Sequence, residues 1–384
     1  MLRRMRRLVC LDGLRRALAT YVMLSHTLPF APMPGWLHWL FQHGGAGVDV
    51  FFILSGLVIV QSLDSFGYRA LPFLIARVAR IYPVFLVVFA LAVAVQPLQT
   101  GFEQMAWIGP DSPARSIWSG GWPRDWGGFI ATHMTMTHGL FPNGVLPNVW
   151  VGFLGAAWSL STEWQFYLLA LLIGARLGPR RMAWLFLAMS AASIAWHAMV
   201  PEAWQFSRAF LPNKAQYFAL GVVSASVVRD GHRGLPAYLV VLAATLALCA
   251  VQGGIDKLLP PAVWTTCLVA QAFSSSPRRR EGRGWIPAFA GMTMGVLAAV
   301  LQSRPMVWLG AVSYCIYLVN EPVQKLLGVT LALLVQGNAA LFTIIWIPGA
   351  VALPVLVSWW LHEWVELPAQ RYGRSMALAA VSAG

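Results

Sequence analysis

Ten apolar stretches, most of them close to the length that crosses a bilayer, dominate this chain. A transmembrane helix needs about 20 mostly apolar residues. Such stretches fall near 13–30, 47–63, 81–97, 154–174, 182–200, 208–228, 236–252, 263–302 (interrupted), 306–327 and 340–361. The pattern predicts an all-α, polytopic bundle of about ten transmembrane helices, forming a single membrane domain over 1–384. Composition agrees: 11% of the residues are charged, against about a quarter in soluble proteins. Membrane lipids are therefore its surroundings.

The net charge of +13 would suggest nucleic acid in a soluble protein. In a multi-pass protein the same excess is expected on the cytoplasmic loops, which are the short and basic ones. The arginines follow that rule. They cluster at Arg3, Arg4, Arg6 and Arg7, then at Arg69, Arg77 and Arg80, and again at Arg176, Arg180 and Arg181. Further groups are Arg229 with Arg233, Arg304, and Arg371 with Arg374. Every second loop is basic, so both termini are expected in the cytoplasm and no nucleic-acid partner is expected. The longest opposite stretch, 98–153, is rich in Trp, Gly and Pro. The basic start and first apolar run are expected to be retained as a span, because no small-residue cleavage site follows. Four scattered cysteines with no CxxC pair point neither to a disulfide framework nor to a metal site.

The eighth stretch is broken by SSSPRRREGRGWIPAFAGMT at 274–293. Its flanks, Val263–Phe273 and Met294–Gln302, are 11 and 9 residues long and together would make one span. The tract resembles translated bacterial repeat elements and is expected to be an insertion into a former single helix. A cytoplasmic loop between two short, tilted segments is the other reading. Its arginines would cost about 2.5–3.5 kcal/mol each at mid-membrane depth, so the tract is expected at one face.

Ionisable groups inside apolar spans are functional candidates. The first span carries Arg15 and, eleven residues on, His26, roughly 16 Å apart along a helix. Arg15 is thus expected near the cytoplasmic boundary and His26 in the outer half. Asp49 opens the second span beside Gly44, Gly45 and Gly47, and an antiparallel hairpin would bring it to the depth of His26. A carboxylate there would fix the tautomer of the imidazole. The glycines permit close backbone approach or ordinary small-residue packing. Arg77 and Arg80 share a helix face and serve either as a topology signal or as a clamp on a phosphorylated ligand. Pro83 is expected to break or kink the start of the third span. Glu163, near Ser159 and Ser161, is expected in the outer half of the fourth span, and Ser313, Tyr314, Tyr317, Asn320 and Glu321 lie on the ninth.

Taken in order, these segments resemble the membrane-bound acyltransferase-3 family. The matching pieces are LDGLR at 11–15 with His26, GVDVFFILSG at 47–56, RVARIYP at 77–83, WSLSTEWQFY at 158–167 and GAVSYCIYLVNEP at 310–322. The resemblance implies a carbohydrate O-acyltransferase of the bacterial inner (plasma) membrane, moving an acyl group, often acetyl, from acyl-CoA to a hydroxyl. The acceptor would be a carbohydrate or lipid-linked glycan. Acyl-CoA would be a co-substrate, with no tightly bound cofactor. His26 would be the essential histidine, as general base or acyl carrier, oriented by Asp49 or Glu163. Arg15, with Arg77 and Arg80, would hold the donor, and Ser159, Ser313, Tyr314 and Asn320 would support the site. Asn320 stands where many members have His. The rival readings are a transporter or flippase and a pseudoenzyme disabled by the insertion.

Overall fold

The computed structural model describes residues 9–98, 102–118, 121–274, 303 and 310–382. It is about 82% helical with no strand among the described residues, an all-α bundle. Among the described residues six segments are long and apolar enough to cross a membrane. Large apolar side chains such as Leu172, Trp184, Leu334, Ile344 and Trp360 point outward, as a lipid-facing surface requires.

The first helix, α1 (Val9–Thr27), leads through a short α2 (Gly35–Phe41) into α3 (Gly44–Ser65). α3 is the centre of the bundle. It packs against α1, against α7 (Trp158–Met199) and α8 (Ala215–Asp230), and against α10 (Ile255–Ser274). Burial on all sides demands small residues at the crossings. A Cβ on Gly56 would meet the Phe218 carbonyl of α8 at 2.5 Å, and one on Gly221 would strike the Ile53 carbonyl. These two helices touch backbone to backbone.

α4 (Ala70–Val95) begins well before the expected 81 and contains Pro83 without breaking. Arg77 and Arg80 therefore ride inside a helix rather than in a loop, and the expected break at Pro83 is corrected. Membrane helices tolerate such a proline where neighbouring groups take up the freed carbonyl. Two small helices, α5 (Pro113–Trp118) and α6 (Trp126–Met134), occupy the stretch before α7. α7 merges the fourth and fifth spans across one break at Gly178, whose φ of 66° suits glycine and is followed by Pro179. α9 (Leu235–Gln252) follows α8 after a short turn.

α10 starts at Ile255 and is 20 residues long, so the upstream flank of the interrupted span is longer than the expected 11. The tract itself, from 275 to 293, lies outside the described residues, as do Met294–Gln302 and Arg304. Beyond it come α11 (Ser313–Val335) and α12 (Ala339–Leu361), then one π-helical turn, His362–Glu366, and α13 (Leu367–Ser382). α13 packs along α4, where a Cβ on Gly373 would strike Ala79. Arg371 and Arg374 thus lie on a helix that hydropathy alone does not single out.

Candidate active site

α1, α3, α4, α7 and α11 surround two cavities that share a wall. The larger, about 1240 Å³, is lined by the end of α1, the start of α3, the end of α4, α5 and the stretch leading into α7. The smaller, about 120 Å³, lies further toward the start of α1 and is lined by Arg15, Arg77, Arg80, Glu163, Ser313 and Tyr314, among others. Val48 and Tyr317 line both. The Tyr317 hydroxyl shares a hydrogen bond of 2.9 Å with Ser159 Oγ and donates to the Ala156 carbonyl at 3.1 Å. The wall is therefore held by hydrogen bonds between α11 and the start of α7.

His26 lines the larger cavity, and its Nδ1 is buried with no hydrogen-bond partner among the described residues. Its neighbour Ser25 sits against Gly44, where any Cβ would strike the Ser25 hydroxyl. The glycine at the head of α3 is what lets α1 approach so closely.

The carboxylates expected beside the imidazole sit elsewhere. Asp49 is buried and paired with Lys214, Nζ to Oδ1 at 2.7 Å. Lys214 was not singled out from the sequence, although a lone lysine beside an apolar run was a signal that a partner exists. A buried carboxylate takes the nearest cation because an unpaired charge there is costly. Glu163 lines the smaller cavity with the arginines rather than the larger one with His26. Its Oε1 accepts from Ser55 at 2.9 Å and its Oε2 from Tyr167 at 2.7 Å. It lies about a turn and a half into α7, which takes it past the wall.

The smaller cavity brings together residues that the sequence scatters over three hundred positions. Arg15 Nε donates to Ser313 Oγ at 3.1 Å, tying α1 to α11. Arg77 donates to Ser62 Oγ at 2.6 Å and lies over the rings of Phe73 and Tyr167, 5.5 and 5.8 Å from their centroids. Tyr314 donates to the Ile81 carbonyl of α4 at 2.8 Å. Arginine suits such a place because its planar fork combines ring stacking with bidentate bonds to phosphate oxygens.

On the other side of the wall, Asn320 turns its amide nitrogen back on its own helix, to the carbonyls of Ile316 and Tyr317 at 3.1 and 2.9 Å. Among the described residues its Oδ1 is left buried without a hydrogen-bond partner, and so is Glu321 Oε2. Both line the cavity of His26. Glu321 thus shares the imidazole's cavity, as does Asp125 near the start of α6. The sequence marked the place of Glu321 in the ninth span but gave it no role, because a face cannot be assigned without the packing.

A membrane-embedded helical bundle that houses a partnerless imidazole beside an arginine cluster defines a class: a multi-pass enzyme built for group transfer. The chain belongs to the acyltransferase family whose model, an acyltransferase domain, matches residues 8–363. It is also similar to the acyltransferase MdmB of Streptomyces mycarofaciens, with 27% identity over 361 residues, covering 85% of this chain and 81% of that protein. No solved structure matches. The protein is accordingly a membrane-bound O-acyltransferase.

Proposed function

We propose that the protein transfers an acyl group, acetyl in the simplest case, from acyl-CoA to a hydroxyl of a carbohydrate or lipid-linked glycan. The donor's phosphates meet Arg15, Arg77 and Arg80 on the cytoplasmic side, and the thioester reaches the wall at Tyr317. The acceptor enters the larger cavity from the opposite side. His26 takes the proton of the attacking hydroxyl, whose oxygen bonds to the thioester carbonyl carbon. The C–S bond then breaks, and the departing thiolate of coenzyme A receives that proton. An imidazole suits this task because its ordinary pKa lies near neutrality. In the carrier variant the imidazole holds the acyl group between the two steps. Glu321, across the same cavity, replaces Asp49 and Glu163 as the acid available to the reaction.

The observation that carries this reading is the wall. The partnerless His26 and the arginine cluster occupy adjoining cavities separated by Val48 and Tyr317. That is the arrangement that transfer between a cytoplasmic donor and an external acceptor requires. Ten spans, cytoplasmic termini and the bacterial inner membrane complete the proposal. The test is to incubate purified protein in nanodiscs with acetyl-CoA and mixed glycans, following thiol release and glycan mass. An added 42 Da on a glycan, the mass of an acetyl group less one hydrogen (about 42 by composition), supports it. Thiol release that no glycan stimulates or records overturns the acceptor assignment.

A further inference from the structure

Lys325 is 9% exposed, on the membrane helix α11, and lines the large cavity that holds His26. Among the described residues its ammonium has no hydrogen bond and no ion pair. Glu321, one turn earlier on α11, lines the same cavity but forms no bridge with it. Lys214, by contrast, is 7% exposed, lies deeper in the bundle and is closed by Asp49 at 2.7 Å. A buried, unpaired ammonium is costly, so the fold tolerates at Lys325 what it avoids at Lys214.

Two further cations line the same cavity. Arg208 is held over the faces of Trp150 and Trp158, 4.9 and 5.7 Å from their centroids, a contact that orients a guanidinium and leaves its N–H edge open. Arg124 sits at the rim with no ion pair among the described residues. On the acidic side are Glu321 and Asp125, and Asp125 is occupied in capping its own helix, accepting from Gly128 N at 3.2 Å. The balance is cationic.

We propose that the acceptor is an anionic glycan, bearing a phosphate or a carboxylate, and that Lys325 and Arg208 bind that group. The proposal rests on the acyltransferase reading only in placing the acceptor in this cavity. The anion completes the pairing of Lys325 and fixes which hydroxyl of the sugar faces His26. Neutral sugars lack the group and enter weakly.

The experiment is calorimetric titration of the full-length protein in phosphatidylcholine nanodiscs with glucose 1-phosphate, glucuronate and glucose, without acyl-CoA. Glucose 1-phosphate or glucuronate should bind about tenfold or more tightly than glucose, the usual scale for a charge-assisted pair. Lys325→Gln and Arg208→Gln should each bring that ratio to within about threefold of unity, while Lys325→Arg should keep most of it. Arg208 is exposed, so its variant remains informative if Lys325→Gln does not fold. Equal affinities in the wild type overturn the proposal, as does a ratio unchanged in both Gln variants. A donor role for these cations would show as weaker binding of acetyl-CoA in both variants with the sugar ratio intact, which also overturns it. Thiol release from acetyl-CoA is measured on the same preparation. Its absence with the ratio intact would defeat the transferase reading and leave the anion site standing.

Discussion

Glu163 in the smaller cavity and Glu321 in the larger are both carboxylates on membrane helices, and the fold treats them oppositely. Glu163 accepts from Ser55 and from Tyr167, and the arginines around it are similarly engaged, Arg15 with Ser313 and Arg77 with Ser62. Among the described residues Glu321 Oε2, Asn320 Oδ1 and His26 Nδ1 are buried without a hydrogen-bond partner, although the Glu321 carboxylate faces the backbone N–H groups of Gly155 and Ala156. Arg77 Nε is the exception on the smaller side. Buried polar atoms are otherwise almost always satisfied, and leaving one unpaired costs about 1–3 kcal/mol. The smaller cavity is thus a finished polar frame that can present fixed cations. The larger keeps unsatisfied groups that become useful when a substrate arrives.

The largest effect should come from the unsatisfied side. His26→Ala should lower thiol release from acetyl-CoA by about 100-fold or more, the scale of a lost general base, with protein yield and donor KM little changed. Activity within a few fold of wild type would sink the comparison, since it would make the partnerless imidazole a bystander. Arg77→Ala attacks the finished side and should divide differently. Losing the bond to Ser62 and the ring contacts should cost about 2 kcal/mol of stability, and the donor KM should rise about tenfold. A pure kcat defect in that variant would place Arg77 with the chemistry.

The order of groups along α1 was legible in the sequence; lateral neighbours were not. Arg15 and His26, eleven positions apart on α1, line different cavities, and Arg15, Arg77 and Arg80 line the same one. The pairing of Asp49 with Lys214 spans 165 positions and depends on which face of α3 meets α8. That choice is set by Gly56 and Gly221, two glycines whose partnership no local pattern reveals. The start of α4 was misplaced because a hydropathy window stops at Arg77 and Arg80, whereas the helix continues through them and buries Arg77. α13 was missed for a related reason: it lies along α4 and carries too many polar residues to read as a span.

A third, smaller effect separates the cavities by pH. His133 and His138 stack 4.1 Å apart in the stretch between membrane helices, and His138 Nε2 bonds the Ala157 carbonyl at 3.1 Å. Burial pushes His133 from its ordinary 6.5 down to about 4 and His138 well below its usual value, with the neighbouring ring adding to the second. Both rings are therefore neutral when folded, and the unfolded chain binds more protons as pH falls below about 6.5. The contribution is absent above that pH and becomes a growing destabilisation on the way down to about 4. For His133 alone it amounts to about 2 kcal/mol between pH 6.5 and 5. Hydrogen exchange at pH 7 and 5 should show residues 126–157 loosening while 159–167 stay protected. His133→Phe, which keeps the stacking on Phe89, should flatten the difference, and an unchanged pH response in that variant would assign it to other groups.

The smallest effect tests the wall itself. Tyr317→Phe keeps the ring between the cavities and removes only the hydroxyl bonds to Ser159 and Ala156. It should cost about 1 kcal/mol of stability and leave transfer within a few fold of wild type. Tyr317→Ala removes the ring, so water from the larger cavity gains a path to the thioester. Its signature should be an altered partition rather than a lost rate: more acetyl-CoA hydrolysed for each acyl group delivered to an acceptor. If both variants keep the wild-type ratio of transfer to hydrolysis, Val48 and the surrounding helices close the wall without Tyr317. The ring would then be only packing between α11 and α7.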